Sequence, residues 1–275
     1  MLIDTHCHLT MIIKDNFDST IQEHDILAAQ NIVTQAEQHG VGIIVDIGTN
    51  LQQSLNCIRL AQAIPQIYAV VGIHPNDITP NWVYDLAYLE KFLEQKQQNR
   101  IIGIGECGLD YHYPGFNHNL QEELFRKQIE LALTYNLALI IHTRDAQAGV
   151  LAILEDYKNS NLKGIIHCFS EDQAFAHRAL ALGFVLGIGG TITYPKNHAL
   201  RSVVQNIGLD HIVLETDAPF LPPQIIRGKK NHPLYVHSIA EYIAQLLGTT
   251  VEEVTLKTTA NAQKVFGLTY MKSML

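Results

Sequence analysis

Short apolar runs recur through this chain, and several end abruptly in a histidine or a carboxylate. Arg100-Ile-Ile-Gly-Ile-Gly-Glu106, Leu137-Ala-Leu-Ile-Ile-His142 and Gly164-Ile-Ile-His167 are the clearest. Runs without polar alternation read as strands buried on both faces. Such a strand has no packing reason to end in an imidazole or a carboxylate, because an unpaired buried polar group is costly. The same departure recurs at the same end of successive runs. The strands are therefore expected to be parallel, with a shared site at their C-terminal ends, where parallel α/β folds assemble functional side chains.

Strand-like runs lie around 2–6, 42–47, 67–73, 101–105, 137–142, 164–168, 183–188 and 211–215, and helical patterns fill most of the intervals. The 119–135 segment spaces Leu120, Leu124, Ile129 and Leu131 among charges, and 145–158 carries Val150, Leu151 and Leu154. Thr250 and Glu253 form a capping-box pattern for a last helix running to about 266, stopped by Gly267. Eight strands alternating with helices predict a (β/α)8 TIM barrel; a doubly wound sheet is the alternative. No linker or composition shift divides the chain, so one domain is expected over 1–275.

The formal charge of −8 argues against a sequence-independent binder of long duplexes, which needs a basic face, but leaves room for local phosphate contacts. The amino terminus lacks a signal-peptide pattern, and no apolar stretch approaches the ~20 residues needed to cross a bilayer. Cys7, Cys107 and Cys168 each follow a histidine or glutamate of the recurring set. Alternation along a strand should point these cysteines away from the site, as buried thiols. Together with Cys57 they fit a reducing, cytoplasmic setting.

His6 and His8, two apart on a strand, should face the same side, towards the barrel axis. With Glu106, His142, His167 and Asp217 they supply enough donors for two divalent cations about 3.5–4 Å apart, with Glu106 as the natural bridge. Asp217 can both ligate and accept the proton of an attacking water, so Glu106 and Asp217 are the candidate catalytic residues. Imidazoles suit zinc-like ions and carboxylates suit magnesium or manganese, so Mg²⁺, Mn²⁺ and Zn²⁺ all remain open. A purely structural zinc site would call for Cys-rich spacing, which is absent.

Gly103-x-Gly105-x-x-Gly108 matches a dinucleotide fingerprint, yet Glu106 inside it would oppose a pyrophosphate, and a loop follows where a helix is required. Arg227-Gly-Lys229-Lys230-Asn231 lies in a loop beyond Asp217. Three cations there are either a solvated surface or a phosphate clamp, in which Arg227 and Lys229 would hold substrate. Arg144, two past His142, and His74 at the end of the third strand are further candidate substrate contacts.

Taken together, Asp4-Thr-His6-Cys-His8, Gly72-Ile-His74-Pro75, Gly105-Glu106-Cys-Gly108-Leu-Asp110-Tyr111, His142-Thr-Arg144, His167-Cys-Phe-Ser170, Glu215-Thr-Asp217-Ala-Pro219 and Arg227-Gly-Lys229-x-Asn231-x-Pro233 resemble the TatD family of metal-dependent deoxyribonucleases. The resemblance covers nearly the whole chain. It implies an amidohydrolase-like barrel, His6 and His8 on one metal, His142 and His167 on the other, Glu106 bridging, and Asp217 as ligand and base. The implied activity is phosphodiester hydrolysis of DNA, often from a 3′ end, with single-stranded DNA ends as substrate. Cys107 and His112-Tyr113-Pro114-Gly115 depart from the family pattern without touching the metal set.

The rival chemistry on such a barrel is C–N or ester hydrolysis by an amidohydrolase, many of which bridge two metals with a lysine on the fourth strand. Here Glu106 stands there, and the nearest lysines are 91, 96 and 127. A non-catalytic metal-binding scaffold would be expected to have lost a ligand, and none is missing.

Overall fold

A computed structural model of the chain describes residues 1–17, 19–115 and 117–268. Its strands are β1 (Leu2–Cys7), β2 (Val41–Ile47), β3 (Ile67–Val71), β4 (Ile101–Asp110), β5 (Ala138–Arg144), β6 (Gly164–Ile166), β7 (Phe184–Ile188) and β8 (Ile212–Leu214). They form one parallel sheet whose order follows the sequence from β1 to β8. A doubly wound sheet would reverse direction at a switch point. The observed order does not, and the barrel expectation holds.

The seam between β1 and β8 closes mainly through hydrogen bonds beyond the short β8. Thr5 Oγ1 donates to Leu214 O (3.0 Å) and Thr216 N–H donates to Asp4 Oδ1 (2.9 Å). Asp217 N–H donates to His6 O (2.9 Å), and His8 N–H donates to Ala218 O (2.8 Å). This seam lays residues 216–218 against residues 4–8, so donors some 210 positions apart in sequence become neighbours.

Ile3, Val45, Ile47, Val70, Ile102, Ile140, Ile165 and Val213 fill the barrel interior. Helix α10 (Val251–Phe266) adds Ala262, Val265 and Phe266 to that cluster and plugs the end where the strands begin. Polar chemistry is thereby confined to the opposite end. The outer strand faces pack on α1 (Leu9–Lys14), α2 (Glu23–Glu37), α3 (Leu51–Ala63), α4 (Trp82–Leu93), α5 (His118–Tyr135), α6 (Gln147–Asp156), α7 (Gln173–Ala181), α8 (His198–Ile207) and α9 (Val236–Leu247). Phe125 of α5 is fully buried there, and truncating such a ring to alanine costs about 3–5 kcal/mol.

The helices expected over 119–135 and 145–158 are α5 and α6, each within two residues at both ends. α5 is capped by Asn117, whose side chain accepts from Leu120 N–H (3.2 Å). At α10 only half of the capping box forms. Thr250 accepts from Glu253 N–H (3.1 Å), while the Glu253 carboxylate bonds Thr249 Oγ1 instead.

β4 departs from expectation. It does not end at Glu106 but continues to Asp110, with a register shift against β5 between Ile104 and Cys107. Gly105 has φ +150°, and a Cβ there would lie 2.7 Å from Ile140 O; at Gly108 it would lie 2.0 Å from His142 O. Two glycines let the β4 and β5 backbones approach this closely. The Gly-rich stretch thus serves strand packing, not a turn into a helix. Among the described residues, no helix is long and apolar enough to cross a membrane.

Candidate metal centre

His6 lies on β1 and His8 follows one residue after its end; both imidazoles point into the mouth of the barrel. Their Nε2 atoms are 3.2 Å apart. His6 Nε2 stands 3.4 Å from Glu106 Oε2 and 3.7 Å from Asp217 Oδ1, and His8 Nε2 stands 3.8 and 3.4 Å from the same atoms. Tetrahedral donors at bonds of about 2.1 Å stand roughly 3.4 Å from one another. The set therefore fits one cation.

The other oxygen of Glu106 faces different imidazoles. Oε1 is 3.1 Å from His142 Nδ1, and 3.8 Å from both His167 Nε2 and His74 Nε2. Glu106 divides the donors into two groups, one per carboxylate oxygen. His167 also leans towards the first group, 3.9 Å from Asp217 Oδ1, with its ring stacked on His6 at 3.4 Å between centroids.

Hydrogen bonds on the far side of the rings set which nitrogen offers a lone pair. His8 Nδ1–H donates to Ile47 O (3.1 Å), leaving Nε2 as an acceptor inside the site. His74 is arranged the other way: Nδ1 accepts from Asn76 N–H (3.1 Å), so the neutral ring carries its proton on Nε2. Burial and the neighbouring His142 charge push His74 down to about 3, which keeps it neutral. Although His74 stands with Glu106 and His142 at metal-binding distances, it is built to donate a hydrogen bond. That suits contact with a phosphate oxygen.

Burial opposes ionisation of Glu106, but the His6 charge and the His142 hydrogen bond outweigh it and hold the carboxyl well below its ordinary range. Asp217 is likewise pushed up by burial and pulled further down by His8, His167 and His6. Burial lowers His167, yet the charges of Glu215 and Glu106 lift it to about 10. His6, by contrast, is lowered by burial and by His167. Two stacked imidazoles facing anionic carboxylates form a site in which a divalent cation can replace a proton. The buried His6 Nδ1, His167 Nδ1 and Glu215 Oε2 lack hydrogen-bond partners. His167 Nδ1 does come within 3.1 Å of Glu215 Oε1, but as a misaligned ion pair.

Asp217 lies three residues beyond β8, at φ +56°, held by its bond to His6 O. It was expected at the strand end; β8 is shorter, and the seam with β1 does the placing. Three acids around the donors, one of them bonded to Asn76, carry no role in the sequence reading. Asp110 accepts from His142 Nε2 (3.2 Å) and from Asn76 Nδ2 (2.7 Å). Asp4, fully buried and lifted to about 8 by that burial, takes both Thr216 N–H and Thr216 Oγ1. Glu215 accepts from Cys168 N–H (2.6 Å). Their signal lay in spacing: Asp4 precedes His6 by two, Glu215 precedes Asp217 by two, and Asp110 follows Glu106 by four.

Of the expected substrate residues, His74 lies within the donor cluster, whereas Arg144, Arg227 and Lys229 stand outside it. Arg144 lies over the Tyr113 ring at 5.2 Å and donates to its hydroxyl (3.2 Å). Arg227 stacks on Tyr194 at 3.8 Å. Lys229 is exposed on the same loop, and Lys230 pairs with Asp15 at 3.0 Å. The cysteines need one correction. Cys7 and Cys107 are buried on the outer strand face, as expected. Cys168, however, lies beyond the end of β6 at φ +46°, partly exposed, and its thiol is pushed up by burial and by the charges of Asp217 and Glu215. Strand alternation does not apply to a residue that has left the strand.

The family described as TatD related DNase matches residues 3–267. A Bacillus subtilis relative named uncharacterized metal-dependent hydrolase YabD is 35% identical over 266 residues, covering 97% of this chain and 99% of the relative. The 3′-5′ ssDNA/RNA exonuclease TatD of Citrobacter rodentium is 30% identical over 254 residues, covering 90% and 94%. The crystal structure of the TatD homologue YjjV from Escherichia coli superposes with a TM-score of 0.86 at 26% identity, covering 98% of each chain.

Proposed function

This chain belongs to the TatD related DNase family, a group of metal-dependent hydrolases, and we propose that it hydrolyses phosphodiester bonds at single-stranded DNA ends in the 3′-5′ direction. The observation that carries the reading is the division of labour at Glu106. One oxygen faces His6 and His8 and the other faces His142 and His167, the arrangement of a carboxylate shared by two cations. The exonuclease name of the Citrobacter relative supports the substrate class. The reading takes residues 1–275 as one catalytic domain acting in the cytoplasm.

In this mechanism His6, His8 and Asp217 would hold one divalent ion (Mg²⁺, Mn²⁺ or Zn²⁺), His142 and His167 the other, and Glu106 both. Such a pair of ions supplies charge neutralisation for the phosphodiester and acidifies the attacking water. Asp217 accepts the proton of that water on a carboxylate oxygen as the water adds to phosphorus and the bond to the leaving oxygen breaks. It is the more open carboxylate, with 14% side-chain exposure against 5% for Glu106. His74 donates from Nε2 to a phosphate oxygen, and Arg144, Arg227 and Lys229 hold neighbouring phosphates.

The absence of a lysine bridge weighs against C–N hydrolysis. A bridging lysine has no counterpart on β4, and Lys96 is bonded to Tyr135 O, among residues lining the end where the strands begin. The test is a panel of end-labelled single-stranded DNA, RNA and an aryl phosphodiester, each assayed with Mg²⁺, Mn²⁺ and Zn²⁺. Metal-dependent shortening of DNA from its 3′ end is expected. Hydrolysis of the aryl ester alone would put the substrate elsewhere.

A further inference from the structure

The hydrolytic reading leaves an apolar feature at the rim unused. Phe220, three residues past Asp217, is 38% exposed. Its ring centroid lies 6.1 Å from the His8 imidazole and 6.1 Å from Phe17, whose ring is inclined by 24° to it; Phe17 itself is 5.7 Å from His8. Several other exposed large apolar side chains lie on outer helices, as Tyr84 and Tyr88 do on α4. Phe220 and the exposed Ile225 instead share the loop at the mouth of the barrel.

That loop is fastened at several points. Asn231 Nδ2 donates to Phe220 O (2.8 Å) and to Thr216 O (2.7 Å), and Tyr194 OH donates to Pro222 O (2.9 Å). The Lys230–Asp15 ion pair ties it to the segment that carries Phe17. A flat apolar face is thus held in place beside an imidazole of the metal centre. A guanidinium, Arg227 on Tyr194, stands further along the same loop.

We propose that Phe220, backed by Phe17, is a stacking platform for an unpaired nucleobase of the strand being hydrolysed. The proposal rests on the nucleic-acid reading above and deepens it. A single strand alternates phosphates with flat aromatic bases, and the rim offers cations and an aromatic face to match. Every base has a π-face, so the platform is indifferent to sequence. Within a duplex all bases but those of the terminal pairs have both faces covered, and a terminal base brings its paired strand with it, so an unpaired end reaches the platform most readily.

The test uses the metal-loaded full-length protein and two 5′-labelled single-stranded oligonucleotides, identical except that one has abasic residues at its 3′ end. In the parent, the abasic end should raise KM roughly five- to hundredfold, with a smaller effect on kcat. Phe220→Ala should raise KM for the intact strand by a similar factor and discriminate little between the two strands, with its metal content unchanged. Phe220→Trp should restore the discrimination. Equal KM values for the two strands in the parent would overturn the platform while the nuclease reading stands; so would full discrimination retained by Phe220→Ala, or none regained by Phe220→Trp. If the parent cuts neither strand with Mg²⁺, Mn²⁺ or Zn²⁺, the reading beneath the proposal falls with it.

Discussion

His142 donates from Nε2 to Asp110 Oδ2 at 3.2 Å, while its Nδ1 faces Glu106 Oε1 at 3.1 Å. Asp110 is itself fixed: Asn76 Nδ2 donates to it (2.7 Å), as does His112 N–H (3.0 Å). Gln121 of α5 clamps its backbone, accepting from Asp110 N–H (3.0 Å) and donating to Asp110 O (3.0 Å). Burial disfavours the ionised form, yet the His142 hydrogen bond and the others bring Asp110 to about 2. A fixed anion behind the ring holds the proton on Nε2, so Nδ1, hydrogen-bonded to Glu106 without a cation, is the nitrogen that can turn its lone pair to one.

Asp110→Asn keeps the shape and removes that charge. Metal affinity should fall about 10- to 100-fold for one of the two ions, with the melting temperature little changed. Metal titration by calorimetry reads both steps. Two unchanged binding steps would show that Asp110 does not position His142.

The barrel was legible because β4, β5 and β6 are apolar on both faces and because the intervals carry helical spacing. Glu106, His142 and His167 were legible as departures from those runs. Asp217 reads as the end of the eighth strand but lies three residues beyond β8, because the β1–β8 seam depends on Asp4 and Thr216 meeting across more than 200 residues, which no local pattern encodes. The pinning of the cation loop by Asn231 was invisible for the same reason: a buried amide serving three strand-exit carbonyls reads in sequence as one more polar loop residue. Cys168 departs from expectation because the period-two rule ends with β6 at Ile166.

Asp217→Asn should lower kcat by ~10²–10⁴-fold, since an amide can still coordinate weakly but cannot take a proton. Steady-state kinetics at saturating metal separate this from simple metal loss. A normal kcat with weaker metal binding would assign the base to another group.

Arg227→Ala combined with Lys229→Ala should raise KM for oligonucleotides and flatten its salt dependence. Each phosphate contact on a single strand contributes ~0.7 to the slope of log K against log salt. Metal content should stay the same, and a small aryl phosphodiester should be affected far less. The parent's salt slope in the double variant would make both residues solvated surface and move the clamp to Arg144.

Asp25, in the first turn of α2, accepts from Gln22 N–H (2.8 Å) and pairs with Lys14 (2.7 Å). Burial raises its pKa, but these partners outweigh it and leave it below its ordinary value. A carboxyl lowered on folding contributes stability above its unfolded pKa of about 4 and loses that contribution as pH falls through its folded value. Asp25→Asn should therefore cost about 0.5–1 kcal/mol at pH 7 and progressively less below about pH 4. Urea unfolding at both pH values measures the difference; an equal loss at each would exclude the ionised pair as its source.

The proposed function rests most heavily on Glu106 holding two cations at once. Metal content of the purified, metal-saturated protein, measured by mass spectrometry beside that of Glu106→Ala, tests it most directly. Two ions per chain are expected in the parent. In the alanine variant both should be weakened and turnover reduced by orders of magnitude, while circular dichroism shows the barrel intact. An alanine variant that keeps two ions and full turnover would contradict the bridge.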